Sequence, residues 1–149
     1  MKTFEILQYN VHKSWPVMAT FLRDKRVLGA DIIAVQEPWK NELQHTTHQP
    51  ATVSFQLVYP TKGAVREQNQ DQTEGQDQAS DYPPPGVCLF ISKKLDPGTW
   101  SCQLISQDYQ LLKLRKAWRD RDWTDLFIHN IYNRPGGNTL EQLRCELSR

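Results

Sequence analysis

Two polar residues that directly follow short apolar segments of this chain could carry chemistry. Asn10 comes after the segment 4–9, and Glu37 comes after the segment 31–36. A carboxylate next to a neutral amide suits the binding of Mg²⁺ beside a phosphate, because this hard cation prefers oxygen ligands. The amide can orient a second carboxylate or the phosphate. The alternative interpretation is that both residues only cap or end a strand.

A helix between the two segments is predicted to bring these residues together. Ser14 can cap its first turn, and Gly29 offers a left-handed stop after its last. The helix, over residues 15–28, then joins strands at residues 4–9 and 31–36 as a compact crossover. Both strand ends, with the polar residues that follow them, are therefore expected at one edge of a sheet.

The rest of the chain predicts more strands around a polar insertion. Residues 62–85 are rich in Gln, Asp and Pro and have almost no apolar content, which indicates a disordered surface segment. Apolar segments between turn signals predict strands at residues 55–59, 86–92, 101–106, 109–116 and 125–132, and Thr139 could cap a last helix at 140–148. One crossover helix and strands with two apolar faces favour a layered α/β sandwich in one domain, residues 1–149.

Composition narrows the class of protein. The chain has 149 residues, 38% of them hydrophobic, which is enough for a folded core. Its formal net charge of +1 gives no support to a nucleic-acid partner, so such a partner must be argued from a site. The odd number of cysteines favours free thiols, and no segment has the pattern of a signal peptide or a membrane span. We therefore expect an intracellular, soluble protein with no membrane partner.

Three sequence blocks, in register, resemble the endonuclease/exonuclease/phosphatase superfamily. They are Gln-Tyr-Asn-Val-His at 8–12, Ala-Asp-Ile-Ile-Ala-Val-Gln-Glu-Pro-Trp at 30–39 and Ile-Tyr-Asn-Arg-Pro-Gly at 131–136. They are most similar to the endonuclease domains of LINE-type retrotransposons, notably those of fungal elements. The resemblance covers nearly the whole chain outside the insertion. It implies a DNase I-like, four-layer α/β sandwich and a Mg²⁺-dependent enzyme that nicks DNA, and hence a nuclear location that no import signal marks.

The resemblance also implies roles for individual residues. Glu37 matches the carboxylate that binds the catalytic metal ion, and Asn10 matches the amide beside the scissile phosphate. Tyr132 matches a tyrosine whose hydroxyl reaches the phosphate, where it would help to hold developing negative charge. His12 stands where some relatives have an acidic residue near the metal, so its role stays open between a site residue and an exposed loop histidine.

Two blocks of the family, Gly-Asp-x-Asn and Ser-Asp-His, do not occur in this sequence. In the family the first activates the attacking water, and the second completes the phosphate site. The available substitutes, each with an adequate structural reason to be where it is, are Asp31, Asp108, Asp125 and His129. We therefore expect the amino-terminal part of the fold without its C-terminal half. Weak Mg²⁺ binding, little nuclease activity and an open sheet through which copies could associate are also expected.

Two other functions stay open at this point. One is a non-catalytic remnant or binding fragment of the same fold. The other is a phosphatase, or another nuclease of the superfamily, that acts on a different phosphoester. The Gln-Glu-Pro-Trp block at 36–39 is the reason for preferring DNA.

Overall fold

The protein folds into two β-sheets with three short α-helices, as far as its residues are described. The computed structural model describes residues 4–47, 49–60, 84–118 and 122–149. All but the last two residues of the predicted polar insertion lie outside these ranges. The mixed α/β class expected from the sequence is confirmed.

The first sheet has four strands in the order β1-β2-β4-β3. They are β1 (Ile6–Asn10), β2 (Ile32–Gln36), β3 (Phe55–Val58) and β4 (Val87–Ser92). β1 and β2 run parallel with Asn10 opposite Gln36, whereas β4 is antiparallel to β2 and β3. The predicted crossover is therefore confirmed, and the ends of β1 and β2 lie at one edge of the sheet beside the start of β4.

The connection between β1 and β2 contains two short helices, not the single helix predicted over residues 15–28. They are α1 (Trp15–Phe21) and α2 (Lys25–Leu28). Ser14 caps the first helix as predicted. The carboxylate of Asp24 accepts amide hydrogen bonds at 2.8 and 3.4 Å, and this second cap restarts the helix. Gly29 has a φ of −85°, so the prediction of a left-handed stop was wrong.

The second sheet has three antiparallel strands in chain order. They are β5 (Trp100–Ser106), β6 (Tyr109–Trp118) and β7 (Asp122–Ile131), and α3 (Thr139–Leu147) follows them. Thr139 is the first residue of α3 and is buried, so its predicted role as the cap was wrong; the N-cap is Asn138. No helix in the described part of the chain is long and apolar enough to cross a membrane.

Two apolar clusters show how the layers pack. One lies between the first sheet and its helices and includes Val11, Met18, Leu22, Ile33, Val35, Phe55, Cys88 and Phe90. The other lies between the two sheets and includes Ile32, Ala34, Leu89, Ile91 and Leu112. Successive residues of β2 and β4 alternate between the clusters, because neighbouring side chains of a strand point to opposite faces. The strands β2 and β4 are thus buried on both faces, and the loops at one end of the first sheet carry the candidate site.

Candidate functional site

Glu37 follows β2 in an unusual backbone conformation. Its φ is 48°, in the left-handed region that residues with a β-carbon seldom adopt. Its amide donates to the Gly86 carbonyl at 2.9 Å, and its carbonyl accepts from the Lys13 amide at 2.9 Å. His12 and Lys13 also have positive φ, at 51° and 59°. Costly conformations of this kind persist where the surrounding structure fixes them, and they are typical of functional sites.

Asn10 contacts Glu37 directly, as the sequence predicted. Its Nδ2 donates to Glu37 Oε1 at 3.2 Å, while its Oδ1 accepts from the His12 amide at 2.9 Å. Because both ends of the amide group are engaged, the nitrogen must face the carboxylate. The side chain of His12 is exposed, and the contribution of this residue to the pair is its backbone amide.

Tyr132 comes one residue after β7 and reaches the same place from the second sheet. Its amide donates to the Asp108 carbonyl at 2.9 Å. Desolvation and the charge of Glu37 raise the pKa of the Tyr132 phenol above its ordinary value. The charge of Arg134 opposes them, and a hydrogen bond with the Glu37 side chain adds to the rise. The three predicted residues therefore meet at one point, which we call the corner: Asn10, Glu37 and Tyr132.

Arg134 supports the corner, although sequence reasoning did not select it. Its Nε and Nη2 donate to the two Asp108 carboxylate oxygens at 2.9 Å each, and Nη2 also donates to the Pro84 carbonyl at 2.7 Å. Its guanidinium lies 5.6 Å from the centre of the Tyr132 ring. The Asp108 side chain is only 5% exposed, so this bidentate pair is well shielded from water. The Tyr-Asn-Arg-Pro block contained the arginine, but no local pattern indicated its partner.

The other substitutes considered for the absent family residues also make structural contacts, as predicted. Asp31 accepts a backbone amide hydrogen bond at 2.9 Å. Asp125 pairs with Lys113 at 3.2 Å, and His129 Nδ1 lies 2.7 Å from the Tyr109 hydroxyl. These contacts explain the positions of the three side chains, and none of them requires a role in the corner.

A network of amide side chains joins the two sheets behind the corner. Gln36 accepts a hydrogen bond from Gln8 and donates to Asn130 Oδ1 at 2.6 Å. Asn130 donates to Gln110 Oε1 at 3.1 Å and to a β4 carbonyl at 2.9 Å, and Gln110 donates to a β3 carbonyl at 2.8 Å. Because the network joins the last residue of β2 to a residue near the end of β7, it fixes the spacing of the strands that carry the corner.

Glu37 is the carboxylate that the corner offers to a metal ion. Within the described ranges, no group of three or more His, Cys, Asp or Glu side chains could hold a metal. Mg²⁺ is commonly bound through one or two carboxylates together with phosphate oxygens and water. A metal ion at the corner would therefore need its remaining ligands from a phosphate and solvent, and its affinity without the phosphate should be weak.

A separate polar cleft lies on the second sheet. It is lined by Gly98, Thr99, Trp100, Ser101, Lys113, Arg115 and Asp125. None of the three predicted site residues lines this cleft, and its lining includes the Lys113–Asp125 ion pair. The cleft is therefore not an extension of the candidate site at the corner.

Comparisons with protein-family models, with curated proteins and with solved structures gave no match to this chain. The family resemblance and the DNase I-like architecture therefore stay predictions from the three sequence blocks. The geometry of the corner is an independent observation on which a function can be argued.

Proposed function

We propose that this chain carries the metal- and phosphate-binding corner of a Mg²⁺-dependent phosphodiesterase of the endonuclease/exonuclease/phosphatase type, with DNA as its substrate. The observation that supports this best is the convergence of Asn10, Glu37 and Tyr132 from the ends of β1, β2 and β7. An oriented amide, a carboxylate and a phenol at one point are the groups that a phosphodiester with a divalent cation requires.

Each of the three side chains would have a separate role in binding the phosphate and the cation. Tyr132 is protonated at neutral pH, as a phenol with an ordinary or raised pKa is, and its hydroxyl would turn from Glu37 to donate a hydrogen bond to a phosphate oxygen. Asn10 and Tyr132 both contact the Glu37 carboxylate, and its remaining lone pairs would bind a cation. When bound there, Mg²⁺ would neutralise negative charge on the phosphate.

Hydrolysis by these residues alone should be slow. Among the described side chains near the corner, Asp108 is the other carboxylate, and its two oxygens are engaged by Arg134. A positioned general base contributes typically ~10²–10⁴-fold to such a reaction. We therefore expect Glu37-dependent metal and DNA binding to be easier to detect than turnover.

Nicking of supercoiled plasmid tests the proposal. The purified chain should convert the plasmid to the open-circular form faster with Mg²⁺ than with EDTA. Glu37→Ala should abolish the difference, whereas Glu42→Ala, which removes a carboxylate from an exposed nearby turn, should preserve it. Equal nicking by the chain and by Glu37→Ala would contradict a catalytic corner.

A non-catalytic binding fragment of the same fold is the second candidate. The corner has one carboxylate that is not paired with a cation, and this favours the second candidate, since catalysis in this class of protein needs further groups. Metal binding that depends on Glu37, without measurable nicking, would support this candidate over the first.

A further inference from the structure

We propose that Lys40, with Arg134 and Lys13, forms an anion site that binds a nucleic-acid backbone phosphate next to the one at the corner. We call these three residues the cation cluster. The inference rests on the proposed function for the choice of a phosphodiester as the anion. It adds a second binding point, which neither the sequence blocks nor the corner includes.

Two consecutive backbone carbonyls hold two of the cations side by side. Lys40 Nζ donates to the Pro85 carbonyl at 2.6 Å, and Arg134 Nη2 donates to the Pro84 carbonyl at 2.7 Å. The next residue, Gly86, is tied to the second sheet by a hydrogen bond from its amide to the Gln107 carbonyl at 2.9 Å. The carbonyls therefore place the ammonium and the guanidinium close to each other on a fixed backbone.

The charges of the cluster are not balanced within it. Burial lowers the pKa of Lys40 to about 8, and the positive charges of Lys13 and Arg134 contribute to the shift. The negative charge of Asp108 acts to raise the pKa of Lys40, but this carboxylate already forms a bidentate pair with Arg134. When Glu37 is included, because its charge also acts on Arg134, three positive charges face two negative ones. A bound anion would relieve this repulsion, as expected for a site that attracts phosphate.

The cluster adjoins the corner through two contacts. The amide of Lys13 donates to the Glu37 carbonyl at 2.9 Å. The guanidinium of Arg134 lies over the Tyr132 ring at 5.6 Å. A nucleic-acid strand carries a phosphate at every nucleotide, so one phosphate can lie at the corner while its neighbour meets the cations. The occupant is therefore proposed to be a polynucleotide and not a ligand with a single phosphate.

The salt dependence of DNA binding tests the cluster without any metal. A short fluorescein-labelled duplex is titrated with the full chain in EDTA over a series of KCl concentrations, and binding is followed by fluorescence anisotropy. Lys40→Gln should make the slope of log K against log[KCl] shallower by about 0.9, the value for one lost phosphate contact on duplex DNA. Lys40→Arg should keep the slope of the unmodified chain.

A lysine at the far end of β4 provides the matched control. Lys94→Gln makes the same change of charge just beyond Ser92 and should leave the slope unchanged. Lys13→Gln, at an exposed side chain, should reduce the slope as Lys40→Gln does, and it serves as the test if Lys40→Gln does not fold.

Three results would overturn the proposal: no binding of the duplex, equal losses in Lys40→Gln and Lys94→Gln, or an unchanged slope in both Lys40→Gln and Lys13→Gln. The proposed function fails independently, because it depends on Glu37 and a metal. A chain that does not nick DNA, but whose salt slope in EDTA falls in Lys40→Gln and not in Lys94→Gln, would support the cluster and contradict a catalytic corner.

Discussion

Gly86 sets how closely Tyr132 approaches the corner. A β-carbon at this position would lie 2.3 Å from Asp108 Oδ1 and 2.6 Å from Tyr132 Cδ1. Both distances are too short for real contacts, and Asp108 is held in place by Arg134. The absence of a side chain at residue 86 is thus a condition for the observed contact between the second sheet and Glu37.

The first prediction concerns this close approach. Gly86→Ala should lower the free energy of unfolding by about 1–3 kcal/mol, the usual cost of inserting a methyl group into a packed site. Chemical denaturation measures the change. Gly98→Ala is the matched control, because a β-carbon there would lie 3.4 Å from its nearest neighbour and should cost less. An equal effect at both positions would contradict the packing argument.

The second prediction follows from the lowered pKa of Lys40. Between the folded value of about 8 and the ordinary value of 10.5, the unfolded state binds more protons than the folded state. The Lys40 side chain therefore makes the free energy of unfolding rise with pH in this range. Measured against Lys40→Gln, whose other titrating groups are the same, the unmodified chain should gain stability from pH 8 to pH 10.5. If the difference in the free energy of unfolding between the two chains does not change with pH, the Lys40 ammonium is not desolvated.

The sequence blocks found the three corner residues, but not the residues around them. Asn10, Glu37 and Tyr132 could be selected because each follows a recognisable strand within a family-like block. Arg134 and Lys40 could not be selected, because the carboxylate that binds Arg134 is 26 residues away in the chain and the carbonyl that binds Lys40 is 45 residues away. Contacts over such separations have no local periodicity that a single sequence reveals.

At the scale of the elements, the amide network connects the strands that carry the corner. Asn130 is buried, and its side chain bonds to groups on β2, β4 and β6. At alternate positions along β7, Asn130 follows Leu126 and Ile128, so the three side chains share one face of the strand. Its partner Gln36 lies 94 residues earlier, so the network itself was not predictable.

The third prediction removes the centre of this network. Asn130→Leu should lower the free energy of unfolding by about 3 kcal/mol or more, since each buried polar group left without a partner costs ~1–3 kcal/mol. Asn133→Leu makes the same substitution at an exposed position and should have little effect. Equal denaturation midpoints for the two variants would show that the network does not hold the sheets together.

The helical connection between β1 and β2 shows a second limit of sequence reasoning. The crossover and its Ser14 cap were predictable from residue types, because capping and apolar spacing are local. The interruption was missed because the apolar spacing continued past it. Asp24 was the available signal, since a residue that can cap an N-terminus within a helical pattern is able to start a new helix.

At the scale of the whole molecule, both sheets have edge strands in the described structure. β1 pairs only with β2, and β7 pairs only with β6. Ile6 of β1 is 42% exposed and Phe127 of β7 is 52% exposed. Unpaired strand edges beside exposed apolar side chains favour association between copies. The open sheet inferred from the sequence leads to the same expectation.

The fourth prediction concerns this association. Ile6→Lys places a charge on the edge strand and should lower the average mass measured by sedimentation velocity at high protein concentration. Val53→Lys is the control, because Val53 is 83% exposed but lies in a short 3₁₀ helix outside the sheets. A mass that does not change with concentration, in the unmodified chain, would contradict association through the edges.

Binding of Mn²⁺ in the presence of a short DNA duplex tests the metal and phosphate corner most directly. The free ion is counted from its electron paramagnetic resonance signal, and Mg²⁺ is added as a competitor. The chain should bind Mn²⁺ at the corner, and Glu37→Gln should weaken this binding by at least about tenfold, because even loss of a group that only orients a ligand costs ~10–100-fold. Glu42→Gln should bind as the unmodified chain does. Equal Mn²⁺ affinity in the unmodified chain and in Glu37→Gln would contradict the assignment of Glu37 as the metal ligand.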